Sequence, residues 1–178
     1  KLEFRIKSMI ISDHSQKLKY HVSQVSKNDR LERRIGEDGM ESLVLFDHDG
    51  GFPDDYMALA LLLRIPKVKL LGVVITPGDC YTEAAQIASE KLVRLLAPEY
   101  CDQIPIGISD IFSPNPFPDA WRKTSYRFDK IIDKVFQNQP PMKTKTEHLA
   151  GIDLMKTALL TASQPVTILV TGPLSSVA

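Results

Sequence analysis

Cysteine is scarce in this chain: Cys80 and Cys101 are the only two in 178 residues. That is too few for a disulfide scaffold, and neither a CxxC pair nor an HExxH pair is present to suggest a zinc site. Long apolar runs are missing too. The longest, Met57 to Leu63, is far short of the roughly 20 residues a membrane-crossing helix needs. No secretory apolar segment opens the sequence. Neither sign of charge is in excess, with 22 Lys and Arg against 22 Asp and Glu, so binding of nucleic acid through bulk electrostatics is not expected. These absences predict a soluble protein of the reducing cytoplasm. The 43% apolar content is that of an ordinary globular domain with a sizeable core.

Residues 1–39 stand apart, with nine basic and six acidic side chains and no sustained apolar period beyond a possible strand at Leu2–Ile11. The expectation is a disordered or non-native extension over 1–39, with Met40 as the natural start of a domain covering 40–178. From residue 43 apolar runs of strand length alternate with amphipathic stretches. Strands are expected at Leu43–Phe46, Val68–Thr76, Ile104–Ile108 and Val166–Val170. Helices are expected at Asp54–Leu63, Thr82–Ala97, near Tyr126–Gln137 and near Glu147–Ala162, and Ser113–Pro118 reads as a proline-rich loop. That alternation predicts an α/β fold: a Rossmann-like, mostly parallel sheet with helices on both faces.

The chemistry concentrates in Asp47-His48-Asp49-Gly50-Gly51-Phe52-Pro53-Asp54-Asp55, four carboxylates in nine residues at the end of an apolar strand. Open α/β sheets place ligands at such strand ends. Crowded carboxylates repel unless a cation or a polyol compensates them, and an all-oxygen donor set suits Ca²⁺ or Mg²⁺. Two families share this pattern. Asp-x-Asp-Gly after a strand resembles the first motif of the haloacid-dehalogenase phosphatases, which use Mg²⁺. There, however, Thr or Val follows the glycine, and no Asp-Asp pair opens the next helix.

The second resemblance extends over residues 43–178. Asp-x-Asp, a glycine turn and Asp54-Asp55 resemble the signature of the inosine–uridine-preferring nucleoside hydrolases. Thr76-Pro77-Gly78-Asp79 is similar to that family's second loop. Asn115-Pro116-Phe117-Pro118 with Trp121 looks like a loop of some members, and Val170-Thr171-Gly172-Pro173-Leu174-Ser175-Ser176-Val177-Ala178 resembles its Thr-Gly turn. The resemblance implies a Ca²⁺-dependent hydrolase that splits purine and pyrimidine ribonucleosides into ribose and free base. It further implies Asp49 as catalytic base and metal ligand, Asp55 as a bidentate ligand, and Thr171 as a ligand through its backbone carbonyl. Asp54 would bind the ribose hydroxyls, Asp79 would stand where many members have a sugar-contacting Asn, and Asp47 would orient the loop. The implied partner is a small-molecule nucleoside, neither nucleic acid nor membrane, with a homo-oligomer when full length.

Two departures stand out. Four residues, Gly50 to Pro53, separate Asp49 from Asp54 where the family has three, so the added residue threatens to carry Asp49 out of reach of Asp55. Ser175-Ser176 replaces Thr-Asn. The family's C-terminal half has no counterpart here, so the chain alone is expected to be a fragment with an incomplete site. A Mg²⁺ phosphatase and a non-catalytic ribose- or Ca²⁺-binding relative remain the alternatives. His48 points to the opposite strand face from its aspartate neighbours and is expected to be structural. Trp121 is expected to pack its loop, the two cysteines to be inert thiols and His148 an ordinary polar residue.

Overall fold

Ser42–His48 form the first strand, β1, and six of its seven residues are buried. The structure is a computed structural model that describes residues 41–112, 117–135 and 149–178. A strand covered on both faces needs no polar alternation, which is why SLVLFDH reads as a run. Helix α1 (Pro53–Arg64) begins with a proline, whose missing N–H lies where a helix has no partner for it anyway. Asp54 and Asp55 occupy its first turn, at the positive end of the helix dipole. Then come β2 (Val68–Ile75), α2 (Thr82–Leu96), β3 (Ile106–Ile108), the short α3 (Asp119–Arg122), α4 (Ser125–Val135), β4 (Leu149–Ala150), α5 (Gly151–Thr161) and β5 (Val166–Val170).

Every strand pairing is parallel, in the order β4-β3-β2-β1-β5. The chain steps outward from β1 to β4 and then returns to the far side of β1 as β5. With right-handed crossovers, that reversal places α1 and α2 on one face and α5 on the other. It also opens a crevice beyond the carboxyl ends of β1 and β5, the switch point where such sheets bind ligands. Val44, Phe46, Val73 and Ile75 turn toward the first face, against Leu59 and Leu63 of α1 and Ala85 and Ala88 of α2. Leu45 and Val74 turn the other way, against Leu154 and Met155 of α5. Phe46 and Leu59 have no exposed surface, and burial of each stabilises the fold by roughly 1.5–3 kcal/mol. A register shift opposite Val44/Leu45 leaves Leu71 without a partner, so Leu70 and Val73 can face the same core.

The expected strands and helices are present, with shifted ends. The strand expected at Leu43–Phe46 runs on to His48, and Val166–Val170 has the expected bounds. The strand expected from Ile104 starts at Ile106, because Ile104 closes a 3-10 turn at Cys101–Gln103. The last helix starts at Gly151 rather than near Glu147, because Leu149 and Ala150 pair with Gly107 and Ile108 instead. Residues 1–39, Met40, most of the proline-rich loop (113–116) and His148 lie outside the described residues. Among the described residues no helix is long and apolar enough to cross a membrane.

Candidate active site

Asp49 leaves the end of β1, Asp55 lies in the first turn of α1, and Asp79 follows β2. These elements bring one oxygen from each carboxylate to within 4.8 Å of one another. Asp49 is 8% exposed and Asp55 4%, so two of the three are buried. Together with Asp54, Thr171, Phe52, Pro53, Met57 and Phe117 they line a cavity of about 520 Å³. No basic side chain is among the residues lining that cavity.

Local hydrogen bonds fix Asp55 and Asp49. The Gly50 amide donates to Asp55 Oδ2 at 2.8 Å, and the Thr171 hydroxyl donates to Asp55 Oδ1. The Asp79 amide donates to Asp49 Oδ2 at 3.2 Å. Gly50 turns the loop at φ +59°, a conformation that side chains oppose. The Tyr56 hydroxyl donates to the Gly50 carbonyl at 2.9 Å and locks that turn. Gly78 passes so close that a Cβ there would lie 2.2 Å from Asp49 Oδ2.

Burial pushes the Asp49 carboxyl up to about 7, helped by the charges of Asp79 and Asp55. Asp79 rises to about 6, from burial first and then from Asp55. Burial also raises Asp55, against the opposing hydrogen bonds from Thr171 and Gly50. Asp79 Oδ1 is buried without a hydrogen-bond partner. Three converging carboxylates, an unpartnered buried oxygen and no Lys or Arg lining the cavity among the described residues fit a hard divalent metal ion.

The sequence-predicted site residues are distributed unevenly. Asp49, Asp55 and Asp79 converge, so Asp79 joins the group that can hold a cation. Asp54 lines the cavity but is exposed at the helix start. Thr171 touches Asp55 through its hydroxyl. The added loop residue does not pull Asp49 from Asp55, whose carboxylates stay together with Phe52 and Pro53 exposed at the cavity wall between them in sequence. Asp47 turns away from the cavity. It is fully buried, accepts a hydrogen bond from Thr76 Oγ1 at 2.5 Å, and is raised to about 7 mainly by burial. The Thr76 hydroxyl also lies 2.6 Å from Ser176 Oγ, and Ser176 donates to Ser109 Oγ at 2.9 Å. This buried chain ties the end of β1 to the segments after β2, β3 and β5.

His48 stacks on Phe46 with ring centroids 5.0 Å apart, and its Nε2 lies 3.2 Å from Ser89 Oγ. Complete burial pushes it down to about 3, so it is a neutral structural ring and not an acid–base group. Cys80 is fully buried with its thiol pushed up by burial, which makes it a poor nucleophile. Trp121 packs edge-on to Phe52 at 6.3 Å and beside Phe117 at 5.9 Å. Sequence reasoning placed Thr76 and Ser176 in motifs without giving them a role, and passed over Ser109 and Tyr56. Thr76 alone carried a local signal, as a hydroxyl at the very end of an apolar strand.

A family model described as inosine-uridine preferring nucleoside hydrolase matches residues 44–178. Among solved structures, an inosine-uridine preferring nucleoside hydrolase from Bacillus anthracis is 31% identical, with a TM-score of 0.58 over 76% of this chain and 43% of that one. A plant nucleoside hydrolase is 18% identical, with a TM-score of 0.56 over 76% of this chain and 41% of its own, a likeness of fold. The chain therefore spans less than half the length of either structure. A search of curated proteins finds no match.

Proposed function

Because this chain belongs to the inosine-uridine preferring nucleoside hydrolase family, we propose that its aspartate crevice is the metal-and-sugar side of a site that hydrolyses the N-ribosidic bond of purine and pyrimidine ribonucleosides. The observation that carries this reading is the convergence of Asp49, Asp55 and Asp79 at the switch point, with no Lys or Arg lining their cavity among the described residues. The family match argues against the Mg²⁺ phosphatase alternative. The metal in this reading is Ca²⁺, which when bound supplies a site for the attacking water and for the ribose 2′- and 3′-hydroxyls.

Asp49 takes the water's proton. Burial and the charges of Asp79 and Asp55 raise the metal-free carboxyl, a bound cation would draw it back down, and its role as base rests on its place in the cavity wall. Asp55 serves as a metal ligand, held in orientation by the Gly50 amide and the Thr171 hydroxyl. The Thr171 carbonyl is a further hard-oxygen donor. Asp54, at the exposed rim, accepts hydrogen bonds from the ribose hydroxyls, and Asp79 faces the sugar from the opposite loop. As the bond breaks, positive charge grows on the ribosyl ring, and the surrounding carboxylates stabilise it. In the same reading the substrate is a free nucleoside in the cytoplasm, and the full-length protein is a homo-oligomer.

The test is ribose release from inosine and uridine by the intact protein, with and without chelator, beside Asp49→Asn. The reading expects chelator-sensitive release and a turnover loss on the order of 10³ in the variant, the scale of a lost general base. Phosphate release from a phosphate ester without ribose release from either nucleoside would overturn it. Ca²⁺ binding without turnover would reduce the protein to a non-catalytic relative.

A further inference from the structure

The loop carrying Asp49 and Asp55 meets the loop carrying Asp79 where the Asp79 amide donates to Asp49, 30 residues away in sequence, and where Gly51 and Gly78 pack against the facing aspartates. A third segment, Asp119 to Ser125, spans both. On one side the Thr124 hydroxyl lies 2.6 Å from the Gly51 carbonyl. It lies equally near the Trp121 carbonyl, so its one proton is shared between the segment's own turn and the Gly51 carbonyl. The ring of Trp121 meets Phe52, the next residue of the same loop. On the other side Arg122 Nε donates to the Cys80 carbonyl at 3.1 Å, with its guanidinium 4.7 Å from the centre of the Tyr81 ring. The Ser125 hydroxyl accepts the Tyr81 amide at 3.1 Å, and the Tyr81 hydroxyl donates to Asp119.

The grips fall at Gly51-Phe52 and at Cys80-Tyr81. The first pair lies within the stretch that is one residue longer than the family pattern, and the second follows Asp79 directly. A loop with surplus length has more conformations that separate its two carboxylates, and bonds on its middle residues remove them.

We propose that Asp119–Ser125 is a bracket that fixes the two aspartate loops against each other. Thr124 and Arg122 are its positioning residues, and the bracket holds the longer Asp49–Asp55 loop in a metal-binding arrangement. The inference rests on the metal reading of the site, but its mechanical part does not. Losing Thr124's bond should loosen the loops whether or not a cation is present.

Two readouts on the intact protein separate these parts. The first is amide hydrogen exchange without metal at Gly50 and Asp79, whose N–H groups bond Asp55 and Asp49. The second is Ca²⁺ affinity by calorimetry. Thr124→Val should speed exchange at both amides and weaken Ca²⁺ binding roughly tenfold, the scale found for partners of metal ligands. Thr124→Ser, which keeps the hydroxyl, should restore both. Arg122→Gln should act chiefly at Asp79 and serves if Thr124→Val does not fold. Lys91→Ala, which unties α2 from α4 away from the site, should lower the melting temperature and leave both readouts unchanged. Unchanged exchange at Gly50 and Asp79 in both Thr124→Val and Arg122→Gln overturns the bracket. Faster exchange in a protein whose parent form binds no Ca²⁺ keeps the bracket and overturns the metal reading instead.

Discussion

Two groups of carboxylates in this chain solve the same problem in opposite ways. Asp129 and Asp133 of α4 face α2, where Lys91 Nζ contacts Asp129 and lies 2.7 Å from Asp133. Both acids keep access to water, with side chains 29% and 59% exposed, so solvent and one ammonium share the compensation. Asp49, Asp55 and Asp79 have neither resource. They are sunk at the sheet's switch point, no Lys or Arg among the described residues lines their cavity, and burial lifts all three carboxyls above the ordinary range. Counting acids would rank the clusters similarly. Counter-charge and solvent access distinguish them, and only the second cluster requires something from outside the chain.

The most direct way to break the contrast is Asp55→Asn. An amide keeps an acceptor for the Gly50 or Thr171 hydrogen bond but removes the buried charge. Ca²⁺ affinity should fall on the order of 100-fold or more, beyond what loss of an outer partner costs, while the metal-free protein melts no lower. Calorimetry and a melting curve read the two effects, and a variant that binds Ca²⁺ like the parent would sink the metal assignment.

The sequence made the first contrast half visible. β1 and β2 stood out because buried parallel strands are continuous β-branched and leucine runs, β5 stood out as a β-branched run although it lies at the sheet edge and is only partly covered, and α2 stood out through its apolar side. The density of aspartates after Phe46 marked the site itself. What ties those aspartates down was not legible. Tyr56, Thr76, Thr124 and Ser176 are single polar residues whose partners are up to 100 positions away, and no spacing rule joins Thr76 to Ser176. Helix α3 has four residues, too few for a periodic pattern. The extra loop residue looked harmful in one dimension. In three dimensions the carboxylates of Asp49 and Asp55 still lie together.

Acidity sharpens the comparison further. Asp47 and Asp49 titrate near 7 and Asp79 near 6 in the fold, against 3.8 for an unperturbed Asp. Between about pH 4 and 7 the folded chain thus holds more protons than the unfolded one, so these groups make stability fall as pH rises. His48 opposes them: held at about 3 against 6.5, it gives stability that is lost as pH falls below the unfolded value. One imidazole is outnumbered by the carboxyls. The metal-free protein should melt higher at pH 5 than at pH 8, and Ca²⁺ should raise the melting temperature more at pH 8, where the ligands are already deprotonated. Equal stabilisation by Ca²⁺ at both values would show that these carboxyls do not hold it.

The smallest effect belongs to the other cluster, and its smallness is the point. Asp133→Asn removes a carboxylate that is more than half exposed and leaves Asp129 to satisfy Lys91. Exposed ion pairs gain little because water already solvates both partners and the long side chain loses rotamer freedom in forming them. The stability change should therefore be about 0.5 kcal/mol or less, and shrink further in high salt as screening weakens what remains. Ca²⁺ affinity should not move, since no element of the cavity wall contains Asp133. A large loss of stability, or any change in metal affinity, would mean that the two acidic clusters are coupled through α2 and α4. The contrast between a self-neutralised surface group and a buried one that needs an external cation would then fail.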